Sequence, residues 1–126
     1  MTTSRSHKPM ERWLRATMNT WNGLIAATRS EEAFRQELTA LVAAVPLAFF
    51  VAEDGWKRLL LIGVVVFVLV VELLNTAIEK LADRVSGEID SQIGRVKDMG
   101  SAAVGLALIV AGMTWLIALA ERIGLI

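Results

Sequence analysis

No cysteine occurs in the 126-residue chain, so disulfides, thiolate metal sites and cysteine nucleophiles are excluded. The single histidine, His7, sits in a polar N-terminal stretch, which puts a histidine-based triad or a histidine-rich zinc site out of reach. Neither sign of charge is in excess, with 13 Lys and Arg against 13 Asp and Glu. No basic run is interleaved with aromatics, so nucleic-acid binding has no support. There is no internal repeat or low-complexity segment. A GxxxxGK[ST] phosphate loop and the protein-kinase signatures are also missing, so any nucleotide must be held in a less familiar way.

What the chain has in abundance is apolar surface. Hydrophobic residues make up 55% of it and the mean hydropathy is +0.54, where soluble domains run at about 45–50% apolar. Three runs account for the excess: "LTALVAAVPLAFFVA" at 38–52, "LLLIGVVVFVLVVELLNTAI" at 59–78, and "MGSAAVGLALIVAGMTWLIALA" at 99–120. A helix needs about 20 residues to cross a bilayer core. The second and third runs reach that length, and the first does so if Glu37 and its neighbours sit at the interface. The expected class is all-α and integral to the membrane, with three transmembrane helices at about 33–52, 57–84 and 96–121 within a unit covering 31–126.

Residues 1–8 read as a disordered polar tail. From 9 to 30, Met10, Trp13, Leu14, Met18, Trp21, Leu24 and Ile25 recur at three- and four-residue spacing, while Arg12, Arg15 and Asn19 take other positions. That pattern predicts an amphipathic helix lying on the membrane surface, with a soluble partner as the alternative cover for its apolar face. A cleavable signal peptide is not expected, because the first apolar run starts late and no small-residue cleavage site is evident. Ten of the 13 Lys and Arg (Arg5, Lys8, Arg12, Arg15, Arg29, Arg35, Lys80, Arg84, Arg95 and Lys97) fall on one side of the spans, the side of the N-terminus and the second loop. By the positive-inside rule both are cytoplasmic, and the C-terminus is outside.

In the third span Ala103, Ala107 and Ala111 recur every four residues, with Gly100, Gly105 and Gly112 adding small surface. Such a ridge suits close helix–helix approach in lipid. The second span carries the anomaly. Glu72, Asn75, Glu79 and Asp83 lie at about 0°, 300°, 340° and 20° on a helical projection, all on one face. Glu72 falls inside the cytoplasmic half of the membrane, about 10 Å or less from its boundary. An intramembrane carboxylate costs a few kcal/mol unless paired, protonated or wetted, and is read first as functional. A structural polar clasp is the plainer alternative. Two further clusters are "SEEAFRQE", with Glu31, Glu32, Arg35 and Glu37, and the connection holding Glu88, Asp90, Arg95, Lys97 and Asp98.

Carboxylates without histidine or cysteine suit Mg²⁺, a hard ion that often bridges to phosphate. A carboxylate in apolar surroundings can serve as a general base, and Lys97 can neutralise phosphate charge. Together these form a phosphoryl-transfer kit at a membrane interface. A small oligomeric ion channel or proton carrier using Glu72 and Glu79 as a relay is the rival from another class. It gives no reason for Lys97 and Asp98. A passive assembly factor is a third reading, and leaves Glu72 unexplained.

"EEAFRQE", "VELLNTAIEKLADR" and "GRVKDMGSAA" closely resemble the bacterial membrane-integral diacylglycerol kinase family, from about Trp21 to the third span. The resemblance implies a kinase that uses ATP and Mg²⁺ to convert diacylglycerol to phosphatidic acid, working as a homotrimer in the bacterial inner membrane. It implies that Glu72 is the catalytic base, with Asn75 and Asp83 in support, and that Glu31 and Glu79 hold the metal. Nucleotide contacts would come from Arg12, Asn19, Glu31, Glu79, Glu88, Asp90, Lys97 and Asp98. Arg35, Glu37, Glu72 and Ser101 would border the lipid substrate. Asn19 stands where the family has an aromatic residue, and Ile25 and Thr28 replace a basic and an aromatic one. A related undecaprenol kinase shares similar motifs, but "FRQE" leans to the diacylglycerol branch. Whether the site lies within one subunit or between two stays open at this level.

Overall fold

A computed structural model describes residues 8–85 and 91–126. The expected disordered tail, apart from Lys8, lies outside the described residues, as do Glu88 and Asp90. Four helices follow in order: α1 (Pro9–Ser30), α2 (Glu32–Val51), α3 (Gly55–Val85) and α4 (Ser91–Arg122). No strand occurs among the described residues. The chain divides into two compact units, Met1–Glu32 and Ala33–Ile126.

In the first unit, α1 opens on Pro9, whose missing N–H would be unsatisfied there in any case. Glu11 lies in the first turn and Arg29 in the last, each complementing the helix dipole. The helix stops at Glu31, which turns to extended backbone while its N–H still donates to Ala27 O at 2.9 Å. Met10, Trp13, Leu14, Met18 and Trp21 are all exposed, so the apolar stripe expected from the sequence is laid out along the helix surface.

In the second unit, three helices are long and apolar enough to cross a membrane. The most apolar windows of α2, α3 and α4 have mean hydropathies of 1.4, 2.6 and 2.3. α3 has 31 residues and α4 has 32, which at 1.5 Å each exceeds a hydrocarbon core of about 30 Å. Both therefore protrude from it. Asp54 caps α3, accepting from Lys57 N at 2.7 Å.

α3 and α4 pack antiparallel. Lys57 pairs with Glu121, Trp115 Nε1 donates to Leu61 O at 3.0 Å, Asn75 lies on Gly100, and Asp83 pairs with Lys97. The α4 face that closes this seam differs from the ridge at four-residue spacing. Gly100, Ala107 and Ala118 are buried and Ala111 half-buried, whereas Ala103 and Gly112 are exposed. Each step of four residues drifts about 40° round a helix, while steps of seven and eleven nearly close on themselves. The seam follows the second rule. At the end near the 52–54 turn, α2 joins the pair through Ala48 and Ala52, which pack with Leu61 and Ala118 against Val51, Ile62 and Trp115.

Candidate functional site

The packing face of α3 changes character along its length. Leu61, Val64 and Val68 are buried on it, and the next residues on the same face are Glu72, Asn75 and Glu79, all half-buried, then Ala82, buried again. The carboxylate stripe is thus the continuation of the helix–helix seam. Its members are drawn in by the same contact that buries the valines.

Three pairings organise the polar half. Glu37 of α2 faces Glu72 of α3 within side-chain hydrogen-bonding reach. A hydrogen bond between two carboxyl groups needs one proton between them. Glu37 Oε2 is buried with no donor among the described residues, and the buried Phe34 ring lies one turn earlier on α2. Next, Asn75 Nδ2 donates to Glu79 Oε1 at 3.3 Å. The amide therefore holds Glu79, whereas the family resemblance implies that Asn75 supports Glu72. Finally, Lys97 Nζ donates to Asp83 Oδ1 at 2.5 Å, joining the cytoplasm-assigned ends of α4 and α3 beside a hollow of about 650 Å³ bordered by Lys80, Leu81, Asp83 and Arg84.

Of the other expected residues in this unit, Arg35, Asp98 and Ser101 are exposed. In the first unit, Arg12 and Asn19 are exposed on α1, and Glu31 is half-buried at its end, with Ser30 Oγ 3.4 Å from its Oε1. Glu88 and Asp90 lie outside the described residues. Among those described, no three acidic side chains gather as a cage for a cation. Mg²⁺ does not require one, since it is commonly held by one or two carboxylates together with substrate phosphates. A half-buried Glu79 steadied by an amide donor meets that description.

Sequence reasoning missed Gly100, which it counted only among the small packing residues. A Cβ built on Gly100 would run into Asn75 Oδ1 and come within 3.2 Å of its Cγ. The signal was in the sequence all the same, since a glycine followed Lys97 and Asp98 at a fixed interval. The tie of Asn75 to Glu79 could equally have been anticipated from their i,i+4 spacing.

A model of prokaryotic diacylglycerol kinase matches residues 18–119. The chain is 47% identical over 113 residues to the diacylglycerol kinase of Escherichia coli K12, covering 90% of this chain and 93% of that protein. It is 44% identical over 106 residues to the diacylglycerol kinase of Pseudomonas aeruginosa, covering 84% and 86%. With the Haemophilus influenzae diacylglycerol kinase it shares 38% identity over 102 residues, covering 81% and 86%. The matched span contains the whole α3 stripe, Glu37, Lys97 and Gly100. An all-helical chain whose three long apolar helices frame a row of half-buried carboxylates, and which matches these proteins over most of its length, belongs to the prokaryotic diacylglycerol kinase family.

Proposed function

We propose that this protein is a membrane kinase that transfers the γ-phosphoryl group of ATP to the free hydroxyl of diacylglycerol, giving phosphatidic acid and ADP. The observation that carries the reading is the half-buried row Glu72, Asn75 and Glu79 on the α3 seam, with Glu37 set against Glu72. Diacylglycerol enters sideways from the inner leaflet, its hydroxyl at the depth of Glu72. Glu72 accepts the hydroxyl proton as the oxygen attacks the γ-phosphorus, and the bond from that phosphorus to the bridging β–γ oxygen breaks. Glu37 holds the acceptor in place from α2. Arg35 and Ser101 border the lipid.

Lys97 and Asp98 of α4, with Glu88 and Asp90 of the connection, take the nucleotide from the cytoplasm, and Arg12 and Asn19 contribute from α1. Lys97 supplies positive charge where the triphosphate approaches. Glu31 and Glu79 are the residues to hold Mg²⁺, which when bound neutralises phosphate oxygens and aligns the triphosphate. Asn75 keeps the Glu79 carboxylate in one orientation. The chain lies in the bacterial inner membrane with its N-terminus cytoplasmic and its C-terminus periplasmic. α1 rests on the cytoplasmic surface, and three copies assemble as a homotrimer, since three helices alone are too few to enclose a lipid and a nucleotide together.

The test is purified protein in lipid bilayers with Mg²⁺, γ-labelled ATP, and either diacylglycerol or undecaprenol. Label passing preferentially to diacylglycerol supports the proposal. Strong preference for undecaprenol overturns the substrate, and no transfer to either alcohol overturns the kinase.

A further inference from the structure

We infer that Gly100 is a positioning residue for phosphoryl transfer: the bare Cα face of α4 at this point is the seat on which Asn75 rests, and through Asn75 it fixes Glu79. The inference rests on the kinase reading for what Glu79 does, and on geometry for the rest.

The Asn75 amide is committed at one end and confined at the other. Its Nδ2 donates to Glu79 Oε1, which settles which atom is oxygen. Its Oδ1 is buried and finds no N–H or O–H donor among the described residues. A buried carbonyl oxygen without a donor costs free energy, so something must hold it there. The direction in which a side chain would leave Gly100 points at this oxygen. In glycine that direction carries a hydrogen, so a Cα–H faces Oδ1, a weak donor contact of the kind that recurs where helices pack closely. Gly100 is itself buried. The other described glycines have open space where a Cβ would go, so the close approach belongs to this position.

A methyl at residue 100 would occupy the space of Oδ1 itself. The neighbour there is not the far end of a long flexible chain. Asn75 has two torsions, and turning it off the seat breaks its bond to Glu79. Gly100 also lies three residues from Lys97, one helical turn on α4. The Asn75–Gly100 contact therefore fixes the α3 residue that serves the metal relative to the α4 residue that serves the nucleotide.

The test is a double-mutant cycle on the intact protein in bilayers with Gly100→Ala, Asn75→Ala and the two combined. Two quantities are followed: the Mg²⁺ dependence of diacylglycerol phosphorylation and the thermal midpoint of the protein without nucleotide. Removing a group that orients a metal ligand costs about 10–100-fold in metal affinity or activity. Each single variant is expected to lose turnover by about that factor and to need correspondingly more Mg²⁺ for half-maximal rate. The double variant should match Asn75→Ala in both, because the methyl then fills space the amide has vacated. Its midpoint should be no lower than that of Asn75→Ala.

If Gly100→Ala alone fails to assemble, recovery of assembly in the double variant supports the inference, and failure of both overturns it. Losses that multiply in the double variant overturn it too, as does a Gly100→Ala enzyme with an unaltered Mg²⁺ requirement. A wild-type protein that phosphorylates no alcohol would instead overturn the kinase reading, and the catalytic role of Gly100 with it, while the midpoints would still report whether Gly100 seats Asn75.

Discussion

The two halves of the α3–α4 seam share one helix face and do opposite things. Towards the 52–54 turn the face carries Leu61, Val64 and Val68, all buried. There the ends of the helices are tied by Trp115 Nε1 to Leu61 O, Lys57 to Glu121, Arg58 Nε to Ala52 O and Arg122 Nε to Phe50 O. Arg58 also stacks over the Phe49 ring at 4.5 Å. Towards the other end the same face carries Glu72, Asn75 and Glu79; Asn75 Oδ1 on it and Glu37 Oε2 on α2 are buried with no donor among the described residues. One half satisfies its polar groups and closes. The other leaves buried acceptors without N–H or O–H donors among the described residues, which is costly for a fold alone. A single helical period can thus build a hinge-free scaffold and a site in register with it, because only the residue types on the face change.

Variants placed in each half should behave differently. The largest effect is expected for Glu72→Gln, which keeps the shape and loses the proposed proton acceptor. Turnover should fall by about 10²–10⁴-fold, measured by phosphate transfer to diacylglycerol. Lys97→Met should lower turnover by about 10²-fold if, as proposed, this charge faces developing phosphate charge. Its bond to Asp83 is between exposed groups, with side chains 41% and 63% accessible, so stability should change little. Thermal unfolding in the same bilayers separates the two effects.

In the apolar half the ranking inverts. Leu61 is fully buried, and Leu61→Ala should cost about 1–2 kcal/mol of stability. That is below the loss seen in water-soluble cores, because lipid rather than water surrounds the separated helices. Turnover per folded molecule should stay within two-fold. Lys57→Ala, which breaks a half-exposed ion pair with Glu121, should barely move stability and leave turnover unchanged. A large kinetic effect from either variant would break the division between the halves.

Much of this was legible in the sequence. Hydropathy gave three long apolar helices because a bilayer imposes a length and a composition that no loop can imitate. The 100° projection placed Glu72, Asn75 and Glu79 on one face, and the structure has all three half-buried together on the seam. The pairing of Asp83 with Lys97 was not legible, since residues 14 apart on different helices meet only once the antiparallel register is known. Nor was the meeting of Glu37 and Glu72. The α3–α4 seam lies at a different phase from the α4 ridge: Ala103 lies about 60° off the face that Gly100, Ala107 and Ala118 share. Small residues announce a contact without saying which of two neighbouring faces makes it.

The most direct measurement crosses the two halves. Glu72→Gln and Leu61→Ala are prepared identically in bilayers, and each is assayed for γ-phosphate transfer to diacylglycerol, for ATP binding and for thermal midpoint. The account predicts that Glu72→Gln binds ATP and unfolds like the parent while transferring almost no phosphate, and that Leu61→Ala unfolds earlier while its folded fraction turns over normally. Near-parental transfer by Glu72→Gln would contradict it.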